Sequence, residues 1–89
     1  MEKSSKQLER YFKGVANHRR IDILLLVNKC GGITVNEIAE NLSCNFKTIS
    51  EHTRKLSLAG LVSKKYSRQL VLHTITPYGL KIIKFIETF

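Results

Sequence analysis

The side chains able to do chemistry in this 89-residue sequence are mostly cations and small hydroxyls, and several of them share one short stretch. Phe46, Lys47, Thr48, Ser50, Glu51, Arg54 and Lys55 fall on the outward turns of a segment whose apolar positions, Ile49, Leu56 and Ala59, recur at helical spacing. A helix with polar and cationic groups at its exposed N-terminal end fits a DNA major groove, where such groups reach donors and acceptors on base edges. Lys64, Lys65 and Arg68 add three cations shortly after it. The plainer reading is a solvated helix face, because paired helices of this kind also occur in proteins that never touch DNA.

Other chemistries find little support. There is no paired-carboxylate motif, glycine-rich phosphate loop or nucleophile elbow, so the sequence predicts no enzyme. His18, His52 and His73 lie on three different elements, with no Cys or His three or four residues away, and read as structural or surface histidines. Cys30 and Cys44 form neither a Cys-x-x-Cys pair nor a closed tetrahedral set; free, partly buried thiols are expected. No metal site and no cofactor are expected.

The elements that must hold the cationic stretch follow from local signals. Thr34 with Glu37 makes a capping box, Ile33 and Ile38 its hydrophobic staple, and Ile38, Ala39 and Leu42 one apolar stripe. Ser43-Cys44-Asn45 breaks that helix. Asn45 is a favoured N-cap for the next, Cys44 and Ile49 are placed as its staple, and Gly60 suits a left-handed cap, which predicts a helix over 46–59 and a helix-turn-helix over 34–60.

Upstream, Leu8, Tyr11, Phe12 and Val15 mark an amphipathic helix within residues 4–16. Ile21 and Ile23 to Val27 wrap most of a second helix over 18–29, expected to be the core's central rod, buried among several neighbours; Cys30-Gly31-Gly32 ends it, and 33–35 suits a brief strand. Downstream, two β-rich segments within 61–76 flank Ser67-Arg68-Gln69, a hairpin carrying Lys64, Lys65 and Arg68 toward its tip. Thr76-Pro77 starts a last helix. Leu80, Ile82, Ile83, Phe85, Ile86 and Phe89 exceed one stripe, so a second copy is expected to cover part of it. A two-fold interface would then use Leu8, Tyr11, Phe12 and Val15 with Ile82, Phe85, Ile86 and Phe89.

The length suits one domain over 1–89. Fifteen Lys and Arg against seven Asp and Glu give a net charge of +8, which favours a polyanionic partner, first of all nucleic acid. The charge is uneven, with a net +3 on 61–76 and zero on 33–60. No apolar run approaches the ~18 to 20 residues of a membrane span, and no signal-peptide pattern opens the sequence, so a cytoplasmic protein without a membrane partner is expected.

Helix, helix, helix-turn-helix, two-stranded wing, final helix is the order of a winged-helix domain, mostly helical and α+β in class. The stretch from Phe12 to Leu24, FKGVANHRRIDIL, resembles the opening of ArsR-type repressors, and Thr48 to His52 with Leu56 to Val62 is similar to that family's recognition helix and its exit into the wing. The resemblance covers about residues 8–80. It implies a dimeric regulator of transcription that binds double-stranded DNA, usually a repressor, with the first and last helices at the dimer interface. Phe46, Lys47, Ser50 and Glu51 would face bases, and Lys64, Lys65 and Arg68 would meet phosphates.

The departures are specific. Thr34 and Asn36 stand where metal-sensing members carry Cys-x-Cys, the last helix offers only Glu87 as a ligand, and Thr53 replaces a usual leucine. The rival reading is a winged-helix protein-interaction module without specific DNA binding, whose last helix docks a partner.

Overall fold

The computed structural model describes residues 2–89. Its elements run α1 (Ser5–Val15), α2 (His18–Cys30), α3 (Val35–Leu42), α4 (Phe46–Leu58), β1 (Val62–Ser67), β2 (Leu70–Ile75) and α5 (Pro77–Glu87). This is the winged helix-turn-helix that the element order predicts.

Every helix begins at a polar cap whose side-chain oxygen accepts an otherwise unpaired backbone N–H, each cap contributing about 1 kcal/mol. Thr34 and Glu37 form the expected capping box, and Ser4 with Gln7 forms a second one at the start of α1. Asn17 accepts from the N–H groups of Arg19 and Arg20, Asn45 from those of Lys47 and Thr48, and Thr76 from that of Gly79.

Ile23, Leu24 and Val27 of α2 form the middle of a core shared with Ile33, Ile38, Ile49, Leu56, Leu61 and Ile83. As expected, α2 is buried among several neighbours, and His18, Leu25 and Lys29 make one exposed stripe on it. Although α1, α3, α4, α5 and β2 all pack on α2, their side chains cover the rest of its circumference and leave that stripe to solvent.

Two close approaches lock the helices together. A Cβ at Gly14 of α1 would sit 2.3 Å from the Ala59 Cβ, and one at Gly79 of α5 would sit 2.1 Å from the Leu61 carbonyl oxygen, so each helix needs a missing side chain to come that near.

The turns differ from expectation in detail. Helix α4 stops at Leu58, one residue short of 46–59, with Ala59 as its C-cap and Gly60 in the left-handed region at φ 79°. Between α3 and α4 it is Ser43, at φ 52°, that takes the left-handed cap. Ser67 pairs with Leu70 in the antiparallel ladder instead of joining the turn. The wing therefore turns on two residues, Arg68 and Gln69, with Arg68 at φ 57°. The brief strand expected at 33–35 reduces to a single bridge, Ile33 to His73, with N–H to carbonyl distances of 3.2 and 2.7 Å.

Candidate nucleic-acid interface

On α4, Lys47, Ser50, Glu51 and Arg54 stand at spacings of three, four and seven, which places them on one stripe of the helix. Lys47, Glu51 and Arg54 are exposed with Phe46, Thr48 and Lys55, and Ser50 is half-buried. The buried side of the same helix is Ile49, Thr53 and Leu56. Thr53, where the resemblance expects leucine, is tolerated in the core because its hydroxyl donates to the Ile49 carbonyl at 2.8 Å.

The wing stands beside this helix. A groove of about 440 Å³ runs between the first turn of α3, α4 and the hairpin, and Phe46, Ser50 and Arg54 line it together with Lys64, Gln69 and Leu70. Lys47, Thr48 and Glu51 border the neighbouring outward face with His52. The fold separates two cations that the sequence grouped. Side chains alternate along a strand, so Lys64 faces the groove while Lys65, the next residue of β1, stands on the opposite side, and Arg68 occupies the turn.

Lys55 also stands apart from the stripe of Lys47, Ser50, Glu51 and Arg54. It lines a shallow depression of about 330 Å³ with Arg10, Lys13 and Arg20, a basic cluster built from α1, α2 and α4 that no local pattern announced. Arg20 organises that corner. Its Nη1 donates to the carbonyls of Lys13 and Gly14 at 3.2 and 3.3 Å, satisfying the C-terminal end of α1, and its Nε donates to His52 Nδ1 at 3.3 Å. Burial, and then the Arg20 charge, push the His52 imidazole below its usual range, so it is neutral and accepts. Within α4, Arg54 Nε donates to Glu51 Oε2 at 3.0 Å and Nη2 donates to Oε1, a bidentate pair whose hydrogen bonds hold the Glu51 carboxyl below the usual carboxylate range.

The apolar residues assigned to a dimer interface divide into two groups. Tyr11, Val15 and Ile82 pack against the protomer's own core, and Tyr11 also stacks on Tyr78 at 4.9 Å between ring centroids, with Lys3 Nζ 4.7 Å from the Tyr78 ring. Leu8 and Ile86 are half-buried. Phe12, Phe85 and Phe89 stay 52%, 53% and 95% exposed.

The thiols are free. Cys44 is half-buried with Sγ donating to the Leu42 carbonyl at 3.2 Å, whereas Cys30, expected to be partly covered, is exposed at the end of α2. Among the described residues no group of three His, Cys, Asp or Glu side chains converges as a metal site, and no helix is long and apolar enough to cross a membrane.

Comparison with known proteins agrees with this geometry. The family model for bacterial regulatory proteins of the arsR family matches residues 17–64, from the cap of α2 into the wing. The chain belongs to the arsR family. It is 32% identical to the transcriptional activator HlyU of Vibrio cholerae over 83 residues, covering 91% of this chain and 74% of that protein. The solved structure of HlyU from Vibrio cholerae N16961 superposes with a TM-score of 0.80 at 28% identity, over 97% of this chain and 92% of that one. The homodimeric winged helix-turn-helix DNA-binding domain Mb0332 of Mycobacterium bovis shares the fold, with a TM-score of 0.84 at 24% identity over 99% of this chain and 87% of that one. As an arsR-family member the protein is a DNA-binding regulator of transcription and not an enzyme.

Proposed function

We propose that the protein acts as a homodimer that reads a specific double-stranded DNA operator, with α4 in the major groove and the wing against the backbone. The observation that carries the reading is the shared groove, where the exposed polar stripe of α4 and the Lys64 side of the wing flank one channel. Lys47, Thr48, Ser50, Glu51 and Arg54 are then the side chains within reach of base edges, with Phe46 at the helix start for apolar contact with a thymine methyl. Lys64, Lys65 and Arg68 meet phosphates on the wing side, and Lys55 meets them beside the basic corner of α1 and α2.

A dimer is supported by the exposed phenylalanines of α1 and α5, two elements apart from the α4 and wing groove, and by Mb0332, a homodimer with this fold. The resemblance points to repression, whereas HlyU is named an activator. Occupancy of the operator is the property that the protein supplies; where the operator lies relative to the polymerase determines the sign.

Selection of bound sites from a random DNA pool, followed by gel shifts at about 50 mM salt, tests the reading. An inverted repeat is expected. Failure to bind any DNA there would favour the protein-interaction module instead.

A further inference from the structure

The Glu51 and Arg54 pair has a geometry that an ordinary surface ion pair does not need. We propose that Arg54, braced by Glu51, selects a guanine at one position of each operator half-site. The proposal rests on the DNA-binding reading above and assigns it a specificity-determining residue.

Arg54 Nε and Nη2 both donate to the two Glu51 oxygens, so the side-on fork of the guanidinium is occupied. The end-on fork, Nη1 with the second Nη2 hydrogen, makes no hydrogen bond among the described residues. Those two parallel donors match the paired acceptors O6 and N7 that guanine alone presents in the major groove.

The brace also decides between base and phosphate. A lone arginine on a DNA-facing helix is drawn to the nearest phosphate by charge, but this one shares its charge with a carboxylate at hydrogen-bond distance, and the pair is net neutral. A neutral pair gains little from a phosphate and meets repulsion from Glu51. An uncharged guanine edge needs only oriented donors, which the brace supplies by holding a flexible side chain in one geometry. Position agrees with chemistry, since Arg54 shares a stripe with Lys47 and Ser50 and lines the groove with Ser50 and Lys64. Lys55, one residue on, stands in the separate basic corner.

The test uses the full chain and the operator selected from the random pool. Each guanine of a half-site is replaced in turn by 7-deazaguanine, which lacks only the N7 acceptor, and affinity is measured for the parent, Arg54→Ala, Arg54→Lys and Glu51→Gln. One position is expected at which 7-deazaguanine weakens the parent on the order of 10-fold and leaves Arg54→Ala unchanged. Lysine, without the planar fork, keeps affinity for random DNA but not the guanine preference. Glu51→Gln lowers the preference and raises affinity for random DNA. Both side chains are half-exposed, so the variants keep the fold, and thermal melting verifies it. Equal losses for Arg54→Ala on every sequence would make Arg54 a phosphate contact and overturn the proposal while leaving DNA binding intact; a parent that selects no site overturns both.

Discussion

Gly79 and His73 show how single residues hold the wing and its neighbouring helices in place. Gly79 lets α5 approach the strand entrance until the Leu61 carbonyl lies where a Cβ would be. Gly79→Ala is therefore expected to destabilise the fold by about 1 to 3 kcal/mol, the usual range for forcing extra volume into a packed contact, as read from urea unfolding. His73 is buried in β2 at the bridge to Ile33. Burial holds its imidazole below the usual range, opposed by its hydrogen bond to Ile33 and aided by Lys64 across the strands. The unfolded chain takes up that proton below about pH 6.5 and the folded chain resists, so the stability is full above that pH and is lost as pH falls through the folded pKa. His52, also depressed, acts in the same direction. The melting temperature should fall from pH 7.5 to pH 5, less steeply in His73→Gln; identical slopes would exclude His73 as a source.

At the scale of elements, α4 and the wing are predicted to do different work on the same DNA. Phosphate contacts position a protein and base contacts specify the sequence. Lys64→Ala with Lys65→Ala should weaken binding to all sequences alike and flatten the salt dependence. Lys47→Ala or Ser50→Ala should cost about 1 to 3 kcal/mol on the selected operator and less on random DNA. Because only Lys64 faces the groove shared with α4, it should account for more of the loss than Lys65 when the two are changed singly. Wing variants that altered sequence preference, with α4 variants that did not, would reverse the assignment.

For the whole molecule, charge and exposed aromatic surface point to one assembly. Phe12 and Phe85 protrude from helices that commit Tyr11, Val15, Ile82 and Ile83 to the core. Phe12→Glu or Phe85→Glu should thus give folded monomers near 10.2 kDa by sedimentation, and the parent is expected to sediment as a dimer at micromolar concentration. Loss of half the phosphate contacts should make those monomers far weaker binders. If each protomer neutralises about four phosphates, the dimer's log affinity should fall against log salt with a slope of about minus 7. A dimer reading successive major grooves would place its recognition helices about 34 Å apart. A parent that stays monomeric removes both the interface and the inverted repeat.

What the sequence determined by itself was whatever acts within a few residues. The Thr34 capping box, the Asn45 cap and the Thr76-Pro77 helix start are contacts spanning two to four positions, so their residues could be named from spacing alone. Apolar periodicity marked the helix faces for the same reason. Ser43 and Arg68 escaped because a left-handed residue is only preferentially glycine, and the surrounding packing tolerates another there. The Glu51 to Arg54 brace lay at a legible spacing of three, yet its use of both side-on donors is a matter of rotamer. Tertiary structure alone decided the rest: Arg20 reaching His52 across 32 residues, the basic corner that takes Lys55 away from the exposed stripe of α4, and the solvent face of α2 at Leu25. These depend on where helices cross, and the crossings are set by close contacts such as Gly14 on Ala59, between residues whose separation along the chain carries no sign of their meeting.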